Sequence, residues 1–326
     1  MNKLENVEIM KKLTIGVEVE MGCISKVKAR SVVAKHFKSI GLEGEKIDIG
    51  GCHDSIGLKL PDGRVWQFMN DGSAPGELGS ISCEMVTPIL KYEDIEDLQQ
   101  IVRNLRQAGA KSGNKWNAGV HIHIGGEGLN VQSMTNLINI LSAHEVLMYN
   151  AVRVSRKRCC WCQFIDTNLV ESVNSRTNPP QTMQDIEDLW YRDTNGQMGS
   201  NRVTHYNRTR YHMMNLHSFF NGHGTIEFRL FEFKTELHAG ELKSWIQLCM
   251  AIVSYAQISK KCSYKKVKTD NEKHAMKCWL TNMGLIGDEF KTARKMLTKR
   301  LKGDMGYAHG RPHAISLDDL DIDEYE

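Results

Sequence analysis

The chain has 326 residues, of which 41% are apolar and 25% charged, and its formal net charge is +3. That length holds one large catalytic domain or two smaller ones, and the composition is that of a globular protein rather than a disordered or fibrous one. The near balance of charge gives no global field for nucleic acid, and no apolar run is long enough to span a bilayer.

The opening MNKLENVEIMKKLTIGVEVE passes from charged residues straight into a strand over 13–19, with no apolar stretch ahead of a small-residue cleavage site; a cytoplasmic protein is expected. Ser25 is placed to cap a helix reaching about residue 38, with Val32, Val33, His36 and Phe37 at helical spacing. Pro61-Asp62-Gly63 marks a turn between strands at 56–60 and 64–69, and a further strand at 80–87 stops at Pro88. Residues 93–107 form an amphipathic helix, 117–124 a strand running into Gly125-Gly126, and 131–152 a long helix.

The stretch 153–206, rich in Asn, Thr, Arg and Pro, is the least regular part, with one short helix at 185–190; a long irregular insertion in a compact protein is more often a lid or binding loop than filler. Two strands at 211–216 and 225–233 are expected to pair across Asn221-Gly222-His223-Gly224, and helices follow at 240–259, 271–283 and 288–301. Residues 303–326 end in SLDDLDIDEYE, an acidic tail without periodicity that reads as disordered. The pattern is α+β with a largely antiparallel sheet. Nine cysteines, several inside apolar segments (Cys83, Cys249, Cys278), read as reduced thiols. Cys159, Cys160 and Cys162 lack a second C-x-x-C or a spaced histidine pair, which favours a structural or incidental role over zinc.

Three strands carry ligand-type side chains on one face. In Gly16-Val17-Glu18-Val19-Glu20 the two glutamates project together, about 7 Å apart, while the valines face a core. Such a pair either embraces a divalent cation or lies on a solvated strand face. His121 and His123 repeat the arrangement between Gly119 and Gly125-Gly126; H-x-H on a strand serves metal sites and plain sheet surfaces alike. Glu227 and Arg229 share a third face and could form no more than an ion pair. With Glu77 and Glu84, these groups could line one cavity. A carboxylate-rich set suits Mg²⁺ or Mn²⁺ better than structural zinc.

Taken in order, GVEVE, Trp66-x-x-x-x-Asp71-Gly-Ser73, CEMVTP, GVHIHIGG, RYHMMNLH and TIEFRLFEFKT resemble the amidoligase family, in the carboxylate–amine ligase superfamily of glutamine synthetase and γ-glutamylcysteine ligase. The motifs run from about 13 to 236. The resemblance implies a glutamine-synthetase-like catalytic fold, a curved, largely antiparallel sheet with flanking helices, in one catalytic domain over 1–302. It implies an ATP-dependent carbon–nitrogen ligase that uses two or more Mg²⁺ or Mn²⁺ ions. Carried over by motif, Glu18, His121 and Glu227 resemble ligands of the ion on the ATP phosphates. Glu20, Glu77 and Glu84 resemble those of the ion nearer the carboxylate and amine. His123, Arg229 and Arg210 resemble phosphate-contacting groups, and Asp71 fits the pattern, although a turn residue bonding its own backbone would also explain it.

The chemistry accounts for these residue types. A carboxylate at neutral pH is a poor electrophile, so it is first phosphorylated by ATP, and an amine then opens the acyl phosphate. Arginine suits phosphate because its planar fork stays charged. The basic run Arg153, Arg156, Lys157, Arg158 reads as a solvated helix end, and the lysines of 260–302 as an exposed helix face. Alternatives are a kinase of the same fold acting on an amine or guanidine, a zinc hydrolase using His121 and His123, or a binding scaffold without turnover. Expected partners are a small-molecule or peptide carboxylate and an amine, with no membrane or nucleic acid; the resemblance leaves a homo-oligomer open.

Overall fold

The computed structural model describes residues 3–51, 54–70, 81–192, 202–204 and 207–307. The first half of the chain runs α1 (Lys3–Met10), β1 (Ile15–Gly22), α2 (Lys26–Ser39), β2 (Glu45–Gly50), β3 (Ser55–Lys59), β4 (Val65–Met69), β5 (Ser82–Val86), α3 (Ile95–Gln107), β6 (Val120–Gly125) and α4 (Val131–Val152). The second half runs α5 (Thr167–Val173), α6 (Met183–Trp190), β7 (Met214–Asn215), α7 (His217–Asn221), β8 (Thr225–Phe231), α8 (Ala239–Ile258), α9 (Glu272–Asn282) and α10 (Lys291–Thr298).

The strands form one sheet in the order β2-β3-β4-β5-β1-β6-β8-β7, and every neighbouring pair is antiparallel. The largely antiparallel α+β architecture expected from the strand pattern is present. Among the described residues no helix is long and apolar enough to cross a membrane.

The sheet has two unlike faces because its strands alternate. Along β1, Ile15, Val17, Val19 and Met21 are fully buried, whereas Gly16, Glu18 and Glu20 are only half-buried. Ile122 and Ile124 of β6 and Ile226 and Phe228 of β8 continue the apolar face. Helices cover it: α2 packs on β3, β4 and β5, α8 on β6, and α4 on β8. Helix α8 is buried nearly all round, as a helix that is apolar on every side must be, with α1, α3, α4 and α10 packed against it. Ser25 caps α2 as expected, its side chain accepting from the Lys28 N–H.

Several elements differ from the sequence expectation. The N-terminal residues form α1 before the strand; this helix has little apolar face and is fixed by docking, with Asn6 Nδ2 donating to the Met283 carbonyl at 2.7 Å. Strand β2 shows no alternation because it is an edge strand; it pairs with β3, and Arg30 Nη1 donates to its Ile47 carbonyl at 3.2 Å. In 153–206 a second helix, α5, appears beside α6, capped by Asp166. The expected hairpin of 211–216 and 225–233 is also different: β7 has two residues and α7 fills most of the connection, entered through a turn in which Asn215 Oδ1 accepts from the His217 N–H. Cys83 and Cys249 are buried, but Cys278 faces outward from α9. Of the acidic tail, residues 308–326 lie outside the described residues.

Candidate active site

Cross-strand register assembles the polar face. Glu20 of β1 stands opposite Glu84 of β5, and Glu18 opposite His121 of β6. His123 stands opposite Glu227 of β8, and Glu227 opposite Asn215 of β7. Directly opposed residues share a face, so five adjacent strands deliver these side chains to one surface.

The contacts are close. His121 Nδ1 lies 2.9 Å from Glu18 Oε2 and 3.5 Å from Glu227 Oε1, while its Nε2 is 3.7 Å from Glu20 Oε1. His123 Nε2 lies 3.2 Å from the other Glu18 oxygen, Oε1, and its Nδ1 is 3.0 Å from Thr225 Oγ1. Asn215 Nδ2 donates to Glu227 Oε2 at 2.6 Å, and the Arg229 guanidinium pairs with Glu227 Oε1. The backbone N–H of Gly119 donates to Glu20 Oε2 at 2.5 Å. Glu227 and Arg229 are 3% and 6% exposed, so their charges are paired inside the protein rather than in water.

These neighbours set the ionisation. Burial would push the Glu18 carboxyl up, but His123 and His121 together hold it well below its usual range. Burial likewise opposes charge on His123, yet the Glu18 carboxylate beside it holds the imidazole above its ordinary value. Glu227 is lowered in spite of burial by Arg229 and the two histidines, and Arg229 is raised by Glu227.

A β-bulge shapes the site. Val120 pairs with Phe231 and Ile122 with Phe228, so Arg229 and Leu230 together face the single residue His121. The bulge turns Phe231 onto Trp245 of α8, ring centroids 5.1 Å apart, while Arg229 stays with Glu227. The freed backbone groups of Arg229 bond elsewhere: its N–H donates to the Met213 carbonyl at 3.0 Å, and its carbonyl accepts from Nε and Nη2 of Arg158 at 3.1 and 2.9 Å. Arg158 is 9% exposed, and among the described residues no carboxylate lies within ion-pair distance of it. It rests on Gly119, where an added Cβ would come within 2.0 Å of Arg158 Nη1, so any larger residue there would displace the guanidinium. The loop that carries it is anchored by Glu232, whose Oε1 accepts from the Ser155 N–H at 2.7 Å, and Trp161 offers its carbonyl to Arg229 Nε at 3.4 Å.

The residues fit a divalent cation. Glu18, His123 and Glu227 each offer a ligand atom, all within 4.8 Å of one another. His123 Nε2 is buried without a hydrogen bond of proper geometry, although Glu18 Oε1 is only 3.2 Å away. Two carboxylates and one imidazole are a donor set for Mg²⁺ or Mn²⁺.

Of the residues singled out in the sequence, Glu18, Glu20, Glu84, His121, His123, Glu227 and Arg229 meet on this face. The trio whose ligand atoms converge is Glu18, His123 and Glu227; His121, which the resemblance implies as the ion ligand, has Nδ1 2.9 Å from Glu18 and 3.5 Å from Glu227. Arg210 is half-buried on a 3₁₀ turn packed against β7 and α7, at the edge of the sheet. Asp71 and Glu77 lie outside the described residues. Asn215 and Thr225 carry no site reading in the sequence, and the spacing of Arg158 favours a solvated helix end over an anion contact. The glycine beside the H-x-H strand and the asparagine in RYHMMNLH were the available signals, whereas the burial of Arg158 has no trace in a basic run.

Among curated proteins none matches the sequence. The fold is similar to a bifunctional glutathione synthetase from Pasteurella multocida, with 12% identity and a TM-score of 0.38 over 91% of this chain and 48% of that one. The chain thus spans about half the length of that protein, and the likeness is too distant to carry a conclusion. A family model described as "putative amidoligase enzyme" matches residues 11–253. That match takes in every strand of the sheet and therefore every carboxylate and histidine described above: the chain belongs to the amidoligase family.

Proposed function

We propose that this protein is an ATP-dependent carboxylate–amine ligase that forms an amide or isopeptide bond through an acyl phosphate. The observation that carries the reading is the meeting of Glu18, His123 and Glu227 within 4.8 Å, beside the buried cation Arg229. In this reading the sheet is a glutamine-synthetase-like catalytic sheet, and residues 1–302 act as one catalytic domain.

A divalent cation held by Glu18, His123 and Glu227 would neutralise phosphate oxygens and orient the γ-phosphate for transfer. Glu20 and Glu84, opposite one another on β1 and β5, are the groups for a second ion nearer the substrate carboxylate, with Glu77 as a further candidate. His121, between Glu18 and Glu20, separates the two carboxylate sets. Arg229 stays charged at any working pH and is already fixed by Glu227, so it offers a preorganised cation at no cost in rearrangement. Arg158, buried without a carboxylate partner among the described residues, is a second such cation; the resemblance adds Arg210 as a phosphate contact.

In the first step an oxygen of the substrate carboxylate attacks the γ-phosphorus and ADP leaves. In the second the amine nitrogen attacks the acyl carbon, loses a proton and expels phosphate. The sum is one ATP consumed per amide. The substrates are a small-molecule or peptide acid and an amine.

The test is ADP release by wild type and Glu18→Ala with pooled acids and amines. The reading requires release that depends on both an acid and an amine and disappears in the variant. Silence across a wide pool would remove its support, and ADP formed with a stable phosphorylated amine would make the protein a kinase.

A further inference from the structure

The structure contains a second charged feature, far from the carboxylates. A cleft of about 760 Å³ lies between α9, α10 and the turn after α10, lined by Lys273, Lys277, Lys291, Arg294, Lys295 and Lys299, with Asp304 as its acid. It lies beyond the family match, which ends at residue 253. Helix α10 packs on α8, and α8 on the apolar side of β6, so α8 and the sheet separate the cleft from the carboxylate cluster. The lysines of this region lie on exposed helix faces, as their spacing predicts, and three elements gather them round one hollow.

The cations divide into two groups. Lys299 Nζ lies 2.7 Å from Glu241 Oε1, Arg294 donates to the carbonyls of Leu285 and Gly287, and Lys277 to that of Met305. The ammonium groups of Lys273, Lys291 and Lys295 have no carboxylate within ion-pair distance among the described residues. Like charges gathered in one hollow repel, and an anionic ligand relieves that repulsion. Met305 and Tyr307, 44% and 46% exposed, add apolar surface at the same cleft. The ligand that matches is an extended anion with apolar groups between its charges, which describes an acidic peptide better than a phosphodiester.

The chain's own sequence holds such a segment. Residues 318–326 read DDLDIDEYE: Asp318, Asp319, Asp321, Asp323, Glu324 and Glu326 alternate with Leu320, Ile322 and Tyr325. Tyr307 lines the cleft, and Asp318 follows it by eleven residues, which span up to about 36 Å when extended. A segment joined so closely needs no encounter from solution. We propose that this cleft is a docking site for an acidic peptide segment and that residues 318–326 of the same chain are its occupant. The proposal stands apart from the ligase reading, because none of its residues belongs to the carboxylate cluster.

Zero-length carbodiimide coupling of the full-length protein, followed by peptide mass mapping, tests it. The expected result is amide links from Lys273, Lys291 and Lys295 to acids of 318–326 within the monomer, lost at high salt. A Lys291→Glu/Lys295→Glu variant, altered at exposed positions only, should lose the Lys273 link as well. Links scattered over lysines elsewhere, or formed only between molecules, would overturn the proposal. So would protection of the three lysines by an added single-stranded RNA with no link to 318–326.

Discussion

Thr225 Oγ1 sits 3.0 Å from Nδ1 of His123, and this contact fixes which nitrogen of the ring meets Glu18. Thr225 is itself held, 2.9 Å from Ser218 Oγ, so the imidazole is presented with Nε2 toward Glu18. An outer hydrogen bond of this kind orients a ligating histidine and keeps it in the tautomer that can bind.

Thr225→Val keeps the shape and removes the bond. Mn²⁺ affinity measured by calorimetry should fall by roughly 10- to 100-fold, the usual effect of losing such a partner. Unchanged affinity would remove His123 from the ligand set.

Arg229 and Glu227 are a buried pair, and taking one away leaves the other's charge inside the protein. Arg229→Ala should lower stability by about 3–5 kcal/mol in denaturant unfolding, and Mg²⁺ should recover part of the loss by replacing the missing positive charge. A variant as stable as wild type would show that Glu227 does not depend on Arg229 for its charge.

Asn215 touches two elements, donating to Glu227 and accepting from the first N–H of α7. Asn215→Ala should cost about 1–3 kcal/mol, and Asn215→Asp more, since it sets a second carboxylate against Glu227. Chemical denaturation compares the two; an aspartate variant equal to wild type would contradict the assigned contact.

The cysteines should divide by burial. Burial pushes the Cys162 thiol up to about 11 and Cys249 well above its ordinary range, so both hold almost no thiolate at pH 8. Alkylation at that pH, mapped by mass spectrometry, should label the exposed Cys23, Cys159, Cys160 and Cys278 and spare Cys162 and Cys249. Fast labelling of Cys249 would mean that α8 is not in the core.

What was legible in the sequence follows the physics of each element. Strands β1, β6 and β8 announced themselves because one face meets a core and the other carries ligands, so apolar and ligand-type residues alternate along them, in β8 as far as the bulge at Arg229 and Leu230. The long buried helices α4 and α8 were equally plain. Helix α1 and strand β2 were not, because docking on α8 and pairing with β3 hold them rather than any pattern of their own. Helix α7 was hidden because Asn215 and His217, which form the turn into it, also suit a strand. In the site, the E-x-E, H-x-H and E-x-R groups could be read from spacing, but the convergence of His123 on Glu18 and Glu227 could not. It depends on the register of β6 against β8 and on Thr225. Arg158 comes to the site only through the fold of its loop, by contacts 71 residues apart in the chain.

In the proposed ligase, β1, β6 and β8 close one divalent-cation site. Crystals soaked in Mn²⁺ and measured at the manganese edge test it most directly. An anomalous peak bounded by Glu18, His123 and Glu227 is predicted; a peak elsewhere, or none at saturating Mn²⁺, would contradict it.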